Sequence, residues 1–191
     1  MIVLVPSTIA LLPAYESIDD PVADLRAACR EAVAPLVERN PLRVAVVAAG
    51  ARPDNVERGV TAGAGERVAA QLLDETGYAG EVTALGDIEM ENADVPVLVV
   101  ANGSARRSEK APGHLDGRAA AFDERIDTAL RSADGVVLQE LDAALAEDLW
   151  CHDAPPLHTL GRLLEQRRPS ELEVAYDGDP YGVRYWVVTW R

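Results

Sequence analysis

Short apolar runs and amphipathic stretches alternate along the first half of the chain. The runs at residues 2–5, 42–49 and 95–101 are almost continuously apolar, which is typical of strands buried on both faces in a parallel sheet. A shorter run at residues 81–85 predicts an edge strand. Apolar residues three and four positions apart predict two helices between these strands. The predicted buried face of the first helix consists of Val22, Leu25, Cys29, Val33 and Leu36. The second helix is predicted over about 62–76, with Ala64, Val68 and Leu72 on its buried face.

The ends of these helices also have sequence signals. Asp20 followed by Pro21 predicts the start of the first helix, with Asp20 as its cap and Pro21 at the first helical position. Pro35 is expected to bend or end its last turn. Gly77 is expected to stop the second helix.

The second half of the chain is first helical and then extended. Three apolar faces predict helices: Phe122, Ile126, Ala129 and Leu130; then Val137, Leu138, Leu141, Leu145 and Leu149; then, in a third and shorter helix, Leu157, Leu160, Leu163 and Leu164. Residues 172–176 and 183–190 predict a hairpin joined by the turn-rich segment 177–182. The order of elements predicts one α/β sandwich domain over residues 1–191, with a mixed, largely parallel central sheet flanked by helices and a C-terminal β-hairpin.

Composition and charge narrow the class of protein. The 191 residues are 48% hydrophobic, and the formal net charge is −14. Such acidity argues against nucleic acid or an anionic membrane as a partner, because both need clustered Lys and Arg. No stretch reaches the roughly 20 apolar residues of a membrane span, and the start of the chain does not resemble a signal peptide. Two cysteines, with Cys29 on a predicted apolar helix face, fit a reduced core and a cytoplasmic location.

Candidate ligand-binding residues follow three of the predicted strands. If these strands are parallel, the loops after them face one crevice at the carboxyl edge of the sheet, where ligands of α/β proteins usually bind. Arginine suits a carboxylate or phosphate because its planar fork can hold two oxygens at once. The predicted site for a small anionic molecule therefore consists of Ser7, Arg52, Ser104, Arg106, Arg107 and Lys110, the last being the only lysine in the chain. The alternative is that these cations pair with nearby acids such as Glu109 and Asp116.

Other motifs give weaker signals. The segment from Gly63 to Val68 lacks the third glycine of a dinucleotide-binding loop. The three histidines, His114, His152 and His158, have no zinc-site spacing. His152 and His158 flank Pro155-Pro156 near Cys151, but surface or capping roles are the favoured interpretation for both.

The loop after the third buried run resembles a known enzyme family. Residues Gly103–Gly113, with the Phe122-Asp123 pair and the C-terminal Pro180–Tyr185 segment, are similar to the class III extradiol ring-cleavage dioxygenase superfamily, whose fold is shared by the Memo proteins. An actinobacterial-type subset is closer still, with Gly-Ser-Ala-Arg-Arg-Ser-Glu-Lys-Ala-Pro-Gly and Pro-Tyr-Gly-Val-x-Tyr. The resemblance implies an extradiol-dioxygenase-like fold over the whole chain, with a shorter middle.

The same resemblance implies that the family's site residues are missing. Active members hold Fe(II) with two His and one Glu and use a further His as acid/base. The first iron-binding His corresponds to Ser7, the second falls in Ala48-Ala49-Gly50, and the acid/base His falls on Ala105. Serine and glycine do not replace imidazole as iron ligands, and alanine moves no proton.

Three functions are therefore weighed. The first is a degenerate, metal-free member that binds a small anion or a protein partner, with no cofactor. The second is an active Fe(II) enzyme whose ligands are drawn from His114, Asp54, Glu109 or Asp177. The third is a structural protein or one that forms homo-oligomers.

Overall fold

A mixed sheet forms the centre of the molecule. The computed structural model describes residues 1–16, 19–38, 41–86, 90–92 and 94–191, and in this part of the chain six strands form one sheet. The strands are β1 (Ile2–Val5), β2 (Arg43–Ala48), β3 (Glu81–Ala84), β4 (Val97–Val100), β5 (Leu172–Gly178) and β6 (Tyr185–Trp190). Their order is β3-β2-β4-β1-β6-β5. The first four are parallel, whereas β6 is antiparallel to both β1 and β5, which confirms the predicted α/β class and the C-terminal hairpin.

Helices cover both faces of this sheet. They are α1 (Ala23–Val37), α2 (Pro53–Val56), α3 (Ala64–Glu75), α4 (Ala119–Ser132), α5 (Gly135–Gln139), α6 (Ala143–Asp148) and α7 (Ala154–Arg167). Two 3₁₀ turns, Ile9–Leu11 and Pro13–Tyr15, follow β1. Within the described ranges, every helix is too short or too polar to span a bilayer.

The alternation of side chains along each strand divides the core in two. Ile2 and Leu4 face a cluster formed with helices α4 to α7, whereas Val3 and Val5 face a cluster formed with α1 and α3. Every residue of β1, β4 and β6 is buried. Burial of these apolar faces is the main force that holds the two helical layers against the sheet.

Several predicted boundaries and faces are wrong. Helix α1 begins at Ala23 rather than at Pro21, with Val22 as its cap residue, although the side chain of Asp20 does accept a hydrogen bond from the free amide of Val22 at 3.1 Å, as predicted. In α3, Ala64 is exposed and Gly65 is buried instead. Gly65 packs so closely on the strand ends that a Cβ there would lie 3.1 Å from that of Ala48.

The second predicted helix of the C-terminal half is two helices. The side chain of Asp142 accepts hydrogen bonds from the amides of Ala144 and Leu145 and starts α6 anew. The apolar spacing continues across this break, so it suggested one helix. The third helix, α7, has 14 residues and is as long as α4 rather than shorter.

Candidate functional site

The carboxyl ends of β1, β2 and β4 lie side by side. Since β4 lies between β2 and β1 and all three are parallel, the loops that follow them share one edge of the sheet, as predicted. The chain leaves β1 and β2 toward α1 and α3 on one face, and it leaves β4 toward α4 on the other. Neighbouring strands whose connections leave toward opposite faces create a crevice between them.

A buried hydrogen-bond network fills the end of β1 and β4. The hydroxyl of Ser7 donates to Asp153 Oδ2 at 2.5 Å, and the amide of Asn102 donates to the same oxygen at 3.0 Å. The Asn102 side chain in turn accepts from the amide of Ser7 at 2.9 Å. Burial raises the pKa of Asp153, and the hydrogen bonds from Ser7 and Asn102 oppose that shift.

Asp153 is one of the residues at this edge that the sequence did not point to, and Glu147 is another. It stands directly before α7, whose first residues contain prolines, and this pattern is typical of a helix cap. Its side chain makes no cap hydrogen bond and reaches the strand ends instead. The adjacent Cys151 is also buried, and burial raises the pKa of its thiol well above the usual value.

Trp150 turns the chain toward the ends of the strands, where the thiol of Cys151 contacts Asn102 O at 3.5 Å. Trp150 ends α6 with a positive φ of 56°, while its amide donates to Glu147 O and the amide of Cys151 donates to Ala146 O. This pair of hydrogen bonds is the Schellman motif, in which glycine is usual at the left-handed position. The turn leaves Trp150 45% exposed, with its ring stacked on that of His152 at a centroid distance of 6.2 Å.

A second network fixes the loop after β4. Ser104 is fully buried and donates to Asp123 from its amide at 2.8 Å and from its hydroxyl at 2.6 Å. Arg107 bridges Asp123 at 3.0 Å and Asp179 at 2.6 Å. Burial raises the pKa of Asp123, although Ser104 and Arg107 oppose this. Burial alone would lower the pKa of Arg107, but its hydrogen bonds to Asp179 and Asp123 raise it.

Arg106 is also engaged within the protein. Its guanidinium donates to Gly113 O at 2.6 Å and to Asp148 O at 2.7 Å, and lies 3.8 Å from Asp116. Arg106 and Arg107 therefore hold the loop to its surroundings. Arg107 is paired with acids, which is the alternative to ligand binding given above, whereas Arg106 is held mainly by two backbone carbonyls.

Arg52 and Lys110 are the predicted cations that keep exposed head groups. Lys110 is exposed and makes no ion pair within the described ranges. The Arg52 side chain is 48% exposed. Its single ion pair among the described residues is a long one, 3.9 Å to Glu147. The other oxygen of Glu147 approaches His152 Nδ1 at 3.4 Å without a hydrogen bond, so that buried ring nitrogen has no hydrogen-bond partner among the described residues.

The residues at this edge do not fit an Fe(II) centre. Ser7 is hydrogen-bonded to Asp153, and Ala105 offers only backbone groups, an amide that donates to Leu149 O and a carbonyl that accepts from the amide of Gly113. His114 contacts Glu109 at 3.2 Å, Asp177 pairs with Arg131 and Arg184, and Asp54 lies in the short α2. Among the described residues, no three His, Cys, Asp or Glu side chains are grouped as a metal site requires.

Comparisons with known proteins leave the family open. No protein-family model matches the chain, and a search of curated proteins finds no match either.

Proposed function

We propose that this chain is a diverged relative of the class III extradiol dioxygenases that does not cleave rings and instead binds a small anion beside Arg52. The proposal combines the sequence resemblance with the chemistry of the carboxyl edge. A cytoplasmic location belongs to it, and the two cysteines, which are free, buried and in separate core clusters, support a reduced environment.

The loss of ring cleavage rests on what occupies the position of the first iron ligand. Ser7 stands there, and its hydroxyl is used by Asp153. Asp153 Oδ2 already accepts hydrogen bonds from Ser7 and Asn102. Ala105 stands at the position of the acid/base histidine and has no titratable group. At this point of the edge, internal hydrogen bonds therefore occupy the polar groups of Ser7 and Asp153.

The position of the Glu147 carboxylate is the observation that carries the binding proposal. It lies between Arg52 and His152 but satisfies neither, since one contact is 3.9 Å long and the other forms no hydrogen bond. Its side chain is 69% exposed and can turn away to solvent. An external carboxylate or phosphate in its place would meet the guanidinium fork and the imidazole together.

Calorimetric titration with inorganic phosphate and with succinate tests this site. Arg52→Ala should weaken binding about tenfold, the loss of roughly 1.4 kcal/mol. Arg58→Ala removes an exposed arginine six residues away and should leave the affinity unchanged. Glu147→Gln should strengthen binding, because it removes the competing charge. Equal affinities for Arg52→Ala and the wild type would refute the site.

Iron loading tests the other half of the proposal. Protein purified without chelators and incubated anaerobically with Fe(II) should retain no stoichiometric iron and show no oxygen uptake with catechols. Stoichiometric iron together with oxygen uptake would establish the active-enzyme alternative and reject the diverged one.

A further inference from the structure

A groove runs along the outer side of α4, beside α5 and α6. It consists of two adjoining cavities of about 460 and 380 Å³, and both are lined by Ala121 and Arg125. Because the cavities share these residues, they form one continuous groove on the face of the molecule that bears α4 to α7. Each volume lies in the range of small-molecule sites.

The larger cavity has an apolar floor. Phe122 and Leu141 are buried members of the core cluster, and the half-buried Leu145 of α6 packs against the same cluster. A hydrocarbon chain laid over these side chains would leave water and gain roughly 25 cal/mol for each Å² buried.

Among the described residues, two arginines line the larger cavity, and one of them is free to bind a ligand. Arg118 is held by Asp116 at 2.8 Å and by Asp148 at 3.1 Å. Asp142 directs one carboxylate oxygen to the amides that start α6. Arg125 is exposed and forms no ion pair within the described ranges.

We propose that this groove binds a small amphiphilic anion, with its acidic head on Arg125 and its hydrocarbon chain over Phe122, Leu141 and Leu145. The chain lies in the larger cavity because, in the described part of the protein, Phe122, Leu141 and Leu145 line it beside a single acidic residue, Asp142, whereas the smaller cavity is lined by two, Glu124 and Asp134. This site is separate from the carboxyl edge, so its failure would leave the proposed function untouched.

Titration with decanoate below its critical micelle concentration tests the head group. Arg125→Gln should weaken decanoate binding at least tenfold. Arg162→Gln removes another exposed helical arginine that has no ion pair in the described chain, and should leave binding unchanged. Equal effects of the two variants would overturn the proposal.

Two further measurements test the groove itself. Decyltrimethylammonium has the same chain with the opposite charge, and it should bind the wild type at least tenfold more weakly than decanoate. Ala121 is exposed, so Ala121→Trp should fill the groove and abolish decanoate binding while the far-UV circular dichroism is preserved. Tighter or equal binding of the cation, or unchanged binding in a folded Ala121→Trp variant, would also overturn the proposal.

Discussion

At the scale of single residues, Asp153 carries an electrostatic cost at the carboxyl edge. A carboxylate that is 8% exposed has lost most of its hydration, and two hydrogen bonds replace only part of it. Burial therefore raises the pKa of Asp153 above its ordinary value. Below the unfolded pKa, near 3.9, both states are protonated. Above the raised folded pKa, the charged form costs stability in full.

The variant Asp153→Asn should therefore change how stability depends on pH. Asparagine is isosteric and its carbonyl can accept both hydrogen bonds without a charge. The unfolding free energy of the variant minus that of the wild type should rise from pH 4 to pH 7, by up to about 1.4 kcal/mol for each unit of pKa shift. Urea unfolding at both pH values measures this difference.

Ser7→Ala provides the matched control at the same carboxylate. It removes one of the two donors, so the pKa of Asp153 should rise further and the loss of stability toward pH 7 should steepen. Parallel pH profiles for the wild type and both variants would contradict the assignment of this cost to Asp153.

At the scale of elements, α5 and α7 meet where glycine faces glycine. A Cβ added to Gly161 would lie 2.5 Å from Gly135 O, and one added to Gly135 would lie 2.2 Å from Gly161 O. These are backbone atoms that cannot rotate away, so the two helices must separate to admit a methyl group. The close approach explains how a helix as short as α5 packs firmly on the core.

Gly161→Ala should lower the unfolding free energy by roughly 1–3 kcal/mol, as overpacking does. This loss would come in spite of the better helix propensity of alanine. Gly117→Ala is the control, since a Cβ there meets nothing within 4 Å, and it should be neutral or slightly stabilising. Thermal unfolding of both variants decides the matter, and equal midpoints would show that the crossing tolerates a methyl group.

Local sequence signals were sufficient to predict some helices and strands but not others. The strands were predictable because β1, β2 and β4 lie in almost continuously apolar runs, and α4 because its apolar spacing is unbroken. The break between α5 and α6 was not, because Asp142 interrupts the chain with a cap while the apolar spacing continues through it. A helix start set by side-chain hydrogen bonds can be hidden by an apolar pattern that serves the core.

At the scale of the whole molecule, the sequence predicted which loops meet at the edge of the sheet. It did not predict which side chains form hydrogen bonds with each other there. Parallel strands bring the loops after Val5, Ala48 and Val100 together, as alternating strands and helices imply. The partner of Ser7 is Asp153, 146 residues away, and that of Arg107 is Asp179, 72 residues away. Contacts at such separations depend on how helices α4 to α7 and the C-terminal hairpin pack back, which no local pattern encodes.

Arg107 connects three separate parts of the chain, and the last prediction concerns its removal. Its guanidinium joins the loop after β4 to Asp123 of α4 and to Asp179 in the hairpin turn. Among the described residues, Arg107→Ala would leave the buried Asp123 with only Ser104 as a partner, so we expect a loss of roughly 3 kcal/mol in unfolding free energy. Arg118→Ala breaks ion pairs that are exposed, and its effect should be much smaller.

Arg107→Ala also distinguishes a structural role of Arg107 from a role in ligand binding. If Arg107 is structural, Arg107→Ala and the double variant Arg106→Ala/Arg107→Ala should destabilise the fold but bind phosphate as the wild type does at a temperature where all three are folded. Because Asp123 is buried, added salt should recover little of the lost stability. A variant as stable as Arg118→Ala that no longer binds phosphate would reverse the assignment and return Arg107 to the ligand site.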